Sequence, residues 1–261
     1  MGRIQFFEWE DQAWFPARIR DYMTDFLQFL TNKTRMFSPL VPELNYLLKT
    51  TGSNQLIDLG SGGGGGLLSL NEDLQKINPE VKIVLTDLYP NHKAFQFTQS
   101  QARNFKAIPE PVDARNVPKK LKGVRTMFLS FHHFGPEDAV RILQNAVDSK
   151  QAIFIAEGQD RSVLSILAMF FSPLTVLFTT PLIRPFSWGR LVFTYPLPLV
   201  PLFTWWDGIV SALRTYSVEE LQGLIQNVSN SESYEWKTDR VKSGPAHLIF
   251  LSGHPKNRKA D

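Results

Sequence analysis

Apolar residues in the middle of the chain come in short blocks, separated by longer segments that are polar at regular intervals. The apolar blocks have the length and composition of buried strands. They span residues 55–59, 81–86, 125–130 and 152–156. The segments between them have a helical period and span residues 67–77, 91–104 and 136–148. Strands that alternate with helices are typical of a parallel sheet with helices on both faces, so the expected fold class is α/β and doubly wound.

The chain before the first strand has a different pattern. Tyr22, Phe26 and Phe29 recur at spacings of three and four, which indicates one apolar helix face. Residues 1–49 are therefore predicted to form a helical extension.

Regular order returns near the C-terminal end. Ser217 and Glu220 form a Ser-x-x-Glu capping box, which predicts the start of a helix. Two strands follow near 234–240 and 247–252, and a short polar loop joins them. Because the connection is short, these two strands are expected to pair antiparallel.

The net charge and the absence of cysteine exclude several classes of function. The 261 residues include 28 basic and 25 acidic side chains, and this small surplus does not predict a nucleic-acid partner. The chain has no cysteine, which excludes disulfides, thiolate metal sites and a cysteine nucleophile. No apolar segment follows a basic start, so a cytoplasmic protein is expected.

The most informative stretch is a glycine run directly after the first strand. Glycines there permit a tight turn and let a ligand lie against the backbone. Gly60-x-Gly62-x-x-Gly65 satisfies a dinucleotide fingerprint. The overlapping pattern Asp58-x-Gly60-x-Gly62-x-Gly64 resembles motif I of the class I S-adenosylmethionine-dependent methyltransferases.

Further motifs in the order of that family strengthen the resemblance. Asp87 matches the acid at the end of strand 2 that binds the ribose, Asp113 matches the acid that meets the adenine, and residues 130–134 resemble motif IV. The resemblance implies S-adenosyl-L-methionine as the cofactor. The positions expected to bind it are Asp58, Gly60, Ser61, Gly62, Gly64, Asp87, Leu88, Asp113, Ala114, Ser130 and Phe131.

The resemblance also implies an architecture. It predicts a mostly parallel, seven-stranded sheet with an antiparallel last strand. Residues 50–157 and 217–255 would form the cofactor-binding, Rossmann-like domain, and residues 158–216 would form an apolar helical insert after strand 5. Methyl transfer would then proceed by in-line attack of a substrate oxygen, nitrogen or carbon on the methyl carbon.

Two side chains are candidates for a general base. His133 follows strand 4, and Asp207 is the single acid in a long apolar segment. His132 is expected to contribute to the substrate pocket. In an extended segment adjacent histidines point in opposite directions, so His132 and His133 are not expected to share a metal ion, and no metal site is predicted.

The insert allows three interpretations. Residues 163–183 have the length of a membrane span, and residues 163–206 could instead contact a bilayer surface peripherally. The favoured prediction is a cap over the sheet edge, where α/β folds bind ligands, with an apolar or aromatic small molecule or a lipid beneath it. The expected substrate-binding residues, besides His132, are Trp14, Trp206, Arg214 and Tyr216.

Two other function classes remain open from the residues. An NAD(P)-dependent short-chain oxidoreductase would share the glycine fingerprint, although no Tyr-x-x-x-Lys pair lies within a predicted helix. A catalytically inactive methyltransferase fold could serve as a binding module. The acceptor atom and the oligomeric state are not encoded in any motif of the chain.

Overall fold

A seven-stranded sheet forms the centre of the protein, in a computed structural model that describes residues 2–256. The strands are β1 (Gln55–Leu59), β2 (Lys82–Thr86), β3 (Phe105–Ala107), β4 (Val124–Phe128), β5 (Ile153–Glu157), β6 (Tyr234–Ser243) and β7 (Ala246–Pro255). Their order across the sheet is β3-β2-β1-β4-β5-β7-β6. Strands β1 to β5 pair in parallel, and β7 pairs antiparallel with both β5 and β6. The predicted fold class, strand number and antiparallel last strand are confirmed.

Ten α-helices surround or extend this sheet in the described part of the chain. They are α1 (Ala17–Lys33), α2 (Val41–Thr51), α3 (Leu67–Ile77), α4 (His92–Gln101), α5 (Pro136–Asp148), α6 (Val163–Phe170), α7 (Ser172–Thr179), α8 (Trp188–Thr194), α9 (Leu199–Arg214) and α10 (Val218–Gln226). One core packs α2 and α3 against the sheet, and a second packs α5 and α10 against the opposite face. Helices therefore cover both faces, as the alternating pattern predicts.

Two predicted features differ in the structure. The short edge strand β3 escaped the pattern because three residues are too few for a period to register. The helical extension begins only at Ala17, so the prediction of helix for residues 2–16 is wrong. Tertiary hydrogen bonds hold the backbone of that segment instead: the amide of Ile4 donates to the carbonyl of Leu213.

The insert packs on the helical extension. Helix α9 lies against α1, α6, α7 and α8, and a separate apolar cluster joins α1 to the insert through Phe26, Val176 and Val200. No single helix in the described chain is long and apolar enough to cross a membrane. Helix α6 and the segment Ser172–Leu182 have the necessary length and composition only together, and a bend of 44° separates them.

The capping box at the start of α10 provides a test of local structure. The Ser217 hydroxyl accepts from the amide of Glu220, and the Glu220 carboxylate accepts from the amide of Ser217. Ser217→Ala should lower the free energy of unfolding by about 1 kcal/mol, measured by urea denaturation. Ser217→Thr, which keeps a hydroxyl, is the matched control. Equal midpoints for all three proteins would contradict a stabilising cap.

Candidate cofactor and active site

The glycine run forms the turn between β1 and α3. Gly60, Gly62 and Gly64 have φ values of +69°, +50° and +86°, a region that side chains with a Cβ rarely adopt. A Cβ on Gly64 would also lie 2.7 Å from the Thr98 hydroxyl oxygen. The turn therefore requires glycine at these positions, and it leaves the backbone open on the cavity side.

A buried carboxyl group fixes this turn from below. Asp58 is the second-last residue of β1, and its carboxylate accepts hydrogen bonds from the hydroxyls of Ser61 at 2.7 Å and Thr126 at 2.8 Å. Burial raises the pKa of Asp58 to about 7, although both hydroxyls oppose the shift. Asp58 lies beneath the cavity rather than in its lining, so it holds the loop in place.

Helix α1 supports the glycine turn from outside the sheet. The Gln28 side-chain amide donates to the carbonyl of Gly63, and the Asn32 amide donates to the carbonyl of Gly65 at 2.7 Å. The Asn32 oxygen accepts from the amide of Ser69 in the first turn of α3. Sequence reasoning missed both residues, because only the packed helix brings them to the loop.

The acid at the end of β2 is tied to the glycine turn. One Asp87 oxygen accepts from the Gly62 amide and the other from the Tyr89 amide, both at 2.8 Å. Burial raises the pKa of Asp87, while these backbone donors oppose the rise. Asp87 lines the cavity, as its predicted role requires.

Asp113 also lines the cavity, but its carboxylate already has a partner. Both of its oxygens accept from the Arg115 guanidinium, which also bonds Asp138. This pairing holds the pKa of Asp113 below its usual value. Asp113 therefore has less free capacity to accept a ligand hydrogen bond than Asp87.

A cavity of about 790 Å³ lies over the carboxyl edge of the sheet. Of the predicted site residues, its lining includes Gly60, Ser61, Gly62, Asp87, Leu88, Asp113, Ala114, Ser130 and His133. Its opposite wall comes from the N-terminal segment and α1 through Glu10, Asp11, Arg20, Asp21 and Thr24. No residue of the insert 158–216 is in this lining, so the wall that the sequence assigned to the insert is built by the extension.

The predicted motif IV region forms a tight turn after β4. Leu129 has a φ of +52°, and residues Phe131–His133 form one turn of 3₁₀-helix. The imidazole rings of His132 and His133 lie side by side, with centroids 4.3 Å apart and planes tilted by 31°. The expectation that the two rings point in opposite directions is wrong, because it assumed extended backbone where the chain is helical.

The two imidazoles have different surroundings. His132 is buried, and its Nδ1 lies 2.8 Å from the Glu157 carboxylate at the end of β5. His133 faces the cavity, and its Nδ1 lies 2.8 Å from Asp11 and 3.0 Å from Glu8. These carboxylates outweigh burial and raise the pKa of His133 to about 10. An imidazole already paired in this way is a poor proton acceptor near neutral pH, which weakens the sequence case for His133 as a general base.

Asp207 lies away from the cavity lining. Its carboxylate accepts from the backbone amides of Trp9 at 2.8 Å and Glu10 at 3.2 Å. Burial, and then the nearby Glu10 carboxylate, raise the pKa of Asp207 to about 8. The geometry is that of an anchor for the N-terminal segment, so the structure does not support contact between Asp207 and a substrate.

The other predicted substrate-binding residues join segments of the chain rather than lining the cavity. Trp206 donates its indole N–H to the carbonyl of Phe7, and Tyr216 donates its hydroxyl to the carbonyl of Phe134. Arg214 donates to the carbonyls of His132 and His133, and it pairs with Glu8 and Asp11. Two further site predictions also lie outside the lining: Trp14 is 69% exposed, and Phe131 is fully buried.

The most important residues missed from the sequence are the acids of the N-terminal segment. Glu8, Glu10 and Asp11 converge on the two histidines, although more than 120 positions separate them along the chain. The sequence showed only that three acidic residues cluster among aromatic residues near the N-terminus. Such a cluster does not indicate a functional site unless the residues that it contacts are known.

Comparison with known proteins concerns the fold. No family model and no curated protein matches the chain. Human N-acetylserotonin methyltransferase in complex with SAM is 12% identical over 97% of this chain and 63% of that chain, with a TM-score of 0.52. A Rhodobacter sphaeroides structure described as a putative Zn-dependent alcohol dehydrogenase is also 12% identical, over 97% of this chain and 100% of that chain, with a TM-score of 0.52. An O-methyltransferase family protein from Burkholderia thailandensis is 15% identical over 85% of this chain and 57% of that chain, with a TM-score of 0.48.

The sheet order separates the two fold types that share the glycine fingerprint. A dinucleotide-binding sheet continues in parallel to its sixth strand, whereas here β7 inserts antiparallel between β5 and β6. The chain has the class I methyltransferase fold. It spans less than two thirds of the length of the methyltransferase chains named above, at 63% and 57%.

The anchoring role of Asp207 can be tested directly. Asp207→Ala removes the acceptor of two backbone amides, and each buried amide left unpaired costs about 1–3 kcal/mol. Hydrogen–deuterium exchange should therefore accelerate in the peptide that contains Trp9 and Glu10, while exchange in β1 to β5 stays unchanged. Asp239→Ala, on the exposed strand β6, is the control. Unchanged protection at Trp9 and Glu10 would contradict the anchor.

Proposed function

We propose that this protein is an S-adenosyl-L-methionine-dependent methyltransferase. The observation that carries the proposal is the convergence of the glycine turn, Asp87 and Asp113 on one cavity at the carboxyl edge of a class I methyltransferase sheet. Ligands of open α/β sheets bind at this edge. The antiparallel position of β7 between β5 and β6 argues against the oxidoreductase alternative.

The chemistry of the lining fits this cofactor. S-adenosylmethionine has a sulfonium cation and no phosphate, so carboxylates around the cavity favour its binding. Asp87 would accept from the ribose hydroxyls, and the open backbone of the glycine turn would lie against the cofactor. A dinucleotide would bring its negatively charged pyrophosphate close to the carboxyl groups of Asp58 and Asp87. Repulsion between these negative charges would disfavour its binding.

Catalysis would depend mainly on placement. The acceptor atom must lie about 3 Å from the methyl carbon, in line with the departing sulfur, and the walls of the cavity would hold it there. The protein would gain rate by orientation rather than by covalent chemistry. This proposal assigns no proton-accepting role to Asp207.

Cofactor affinity tests the proposal. Asp87→Ala removes a charged acceptor from the cavity and should weaken S-adenosylhomocysteine binding by about 10–150-fold, the equivalent of about 1.5–3 kcal/mol. Asp113→Ala should have a smaller effect, because Arg115 already occupies that carboxylate. Isothermal titration calorimetry measures both, with Asp73→Ala, which lies in a surface ion-pair cluster outside the cavity lining, as the control. Binding of NAD in preference to S-adenosylhomocysteine, or equal affinity for wild type and Asp87→Ala, would contradict the proposal.

We also propose that the insert binds a lipid bilayer surface and that the acceptor is a lipid or an apolar or aromatic small molecule. Fourteen of the twenty-one exposed large apolar side chains of the described chain lie between Val163 and Leu202. Isolated exposed apolar residues are ordinary, but such a concentration marks an interaction surface. No acid lies between residues 161 and 206, and Arg184 is exposed there, which suits anionic headgroups.

Alternative placements of the insert have less support. A cap would contribute to the cavity lining, and the insert does not. Arg190, the other arginine of this apolar segment, is buried against Asp25 and is therefore not available to a headgroup. The apolar cavity wall formed by Leu27, Met127 and Phe128 suits an apolar acceptor.

Flotation with vesicles tests the lipid surface. Phe178 and Trp188 are 79% and 75% exposed. Replacing both with Asp removes two anchors worth about 1.5–3 kcal/mol each, so partition onto phosphatidylcholine–phosphatidylglycerol vesicles should fall more than about 100-fold. Ile77→Asp, an exposed apolar position at the end of α3, is the matched control. Wild-type protein that stays at the bottom of the gradient would contradict the proposal.

A further inference from the structure

Two imidazoles and a carboxylate meet beside the cavity. Glu8, His132 and His133 each offer one ligand atom, and these three atoms lie within 4.8 Å of one another. His132 Nε2 is 3.7 Å from Glu8 Oε1, and His133 Nδ1 is 3.0 Å from Glu8 Oε2. The 3₁₀ turn at Phe131–His133 makes this possible, because it turns adjacent histidines to the same side.

Two of these groups keep buried polar atoms without a hydrogen-bond partner among the described residues. They are His132 Nε2 and Glu8 Oε2, on side chains that are 3% and 0% exposed. Buried polar atoms are almost always paired, because an unpaired one loses its hydration without compensation. Both atoms belong to the same cluster, which points to a ligand that binds there.

The neighbours of the cluster orient it for a cation. Glu157 lies 2.8 Å from His132 Nδ1, so the ring proton stays on Nδ1 and the lone pair is on Nε2. This carboxylate–histidine arrangement is common behind metal-binding imidazoles. Ser211 donates to Glu8 Oε1 and Arg214 lies 3.3 Å from the same oxygen, so Oε2, 3.0 Å from His133 Nδ1, is the oxygen available to a metal ion.

The local charge balance favours an additional cation. Four carboxyl groups lie within 4 Å of the two imidazoles: Glu8, Glu10, Asp11 and Glu157. In the described part of the chain, Arg214 is the one permanent cation paired with any of them.

We propose that Glu8, His132 and His133 bind a divalent first-row transition-metal ion, with Zn²⁺ as the best match. Two imidazole nitrogens and one carboxylate oxygen are a ligand set typical of catalytic zinc sites, in which a fourth position remains open. Asp11, 2.8 Å from His133 Nδ1, is the nearest further oxygen donor. The ion would lie at the cavity wall, because His133 belongs to both the cluster and the lining.

The role of the ion rests on the proposed function. A bound Zn²⁺ acts as a Lewis acid and lowers the pKa of a coordinated hydroxyl group. In a methyltransferase the coordinated hydroxyl would release its proton to water, and its oxygen would then bond to the methyl carbon as the bond from that carbon to the cofactor sulfur breaks. Such a role requires no proton acceptor from the protein. It therefore agrees with the positions of the two predicted bases, because His133 Nδ1 already faces carboxylates and Asp207 lies outside the cavity lining.

Metal binding itself is the first measurement. Full-length protein, dialysed against chelator, should bind one equivalent of Zn²⁺ by calorimetry, and the melting temperature should rise with Zn²⁺ concentration. Co²⁺ bound in its place should give the visible absorption of a low-coordinate nitrogen–oxygen site. Mg²⁺ should not compete, because it prefers an all-oxygen shell. Absence of Zn²⁺ binding at micromolar concentration, or equal binding of Mg²⁺, would overturn the proposal.

Variants locate the ion. Glu8→Gln and His132→Gln should each weaken Zn²⁺ binding by more than about 100-fold, and Glu157→Gln, behind the ligands, by about 10–100-fold. His247→Gln, an exposed histidine on β7, is the control and should bind as wild type does. If Glu8→Gln and His132→Gln kept wild-type affinity and the Co²⁺ spectrum, the ion would lie elsewhere and the assignment would be wrong.

S-adenosylhomocysteine titration of the same proteins separates this proposal from the methyltransferase proposal. Wild-type cofactor affinity in His132→Gln shows that the variant is folded and attributes its loss of Zn²⁺ to the missing ligand. If His132→Gln fails to fold, Glu8→Gln, at a proposed ligand that lies outside the cavity lining, replaces it in the same comparison. A protein that binds S-adenosylhomocysteine but not Zn²⁺ would overturn the metal site alone.

Discussion

One buried guanidinium joins the segments that meet at the carboxyl edge of the sheet. Arg214, at the end of α9, donates to the carbonyls of His132 and His133 and pairs with Glu8 and Asp11. It therefore ties three segments that are remote in sequence: the N-terminal segment, the turn after β4 and the insert. A buried guanidinium requires several acceptors to offset its lost hydration, and these four groups supply them. Together with Asp207, which accepts from the amides of Trp9 and Glu10, this guanidinium holds the acids of the N-terminal segment beside the histidines.

The glycine turn after β1 is the second feature on which the site depends, and residues of both β1 and α1 hold it in place. Asp58 holds it from β1 below, and Gln28 and Asn32 of α1 hold it from outside. Because α1 also packs on the insert through Phe26 and Val176, the cofactor loop and the apolar insert share one support. Helix α1 therefore contacts both the insert that carries the proposed lipid-facing surface and the proposed cofactor site.

Much of the fold could be predicted from local patterns. The helices at 67–77 and 136–148 and the strand at 55–59 match the structure to the residue, because their periods, glycines and prolines act within a few positions. The motif order also identified the cavity lining around Gly62 and Asp87, since residues at the ends of parallel strands must meet at one edge. Leu88, Ala114 and Ser130 follow from the same argument.

The sequence by itself determined the α/β class, the antiparallel last strand that the resemblance implies and the turn that only glycine can form. It misplaced Asp207, Trp206 and Arg214, because an isolated polar side chain in an apolar segment does not reveal whether it faces a ligand or another part of the chain. The tertiary structure alone decided that Glu8 meets His132 across more than 120 residues, and that the extension rather than the insert walls the cavity. The physical reason is that periodicity records which side of an element is buried, whereas partners between remote segments are chosen by packing and by the pairing of buried charge.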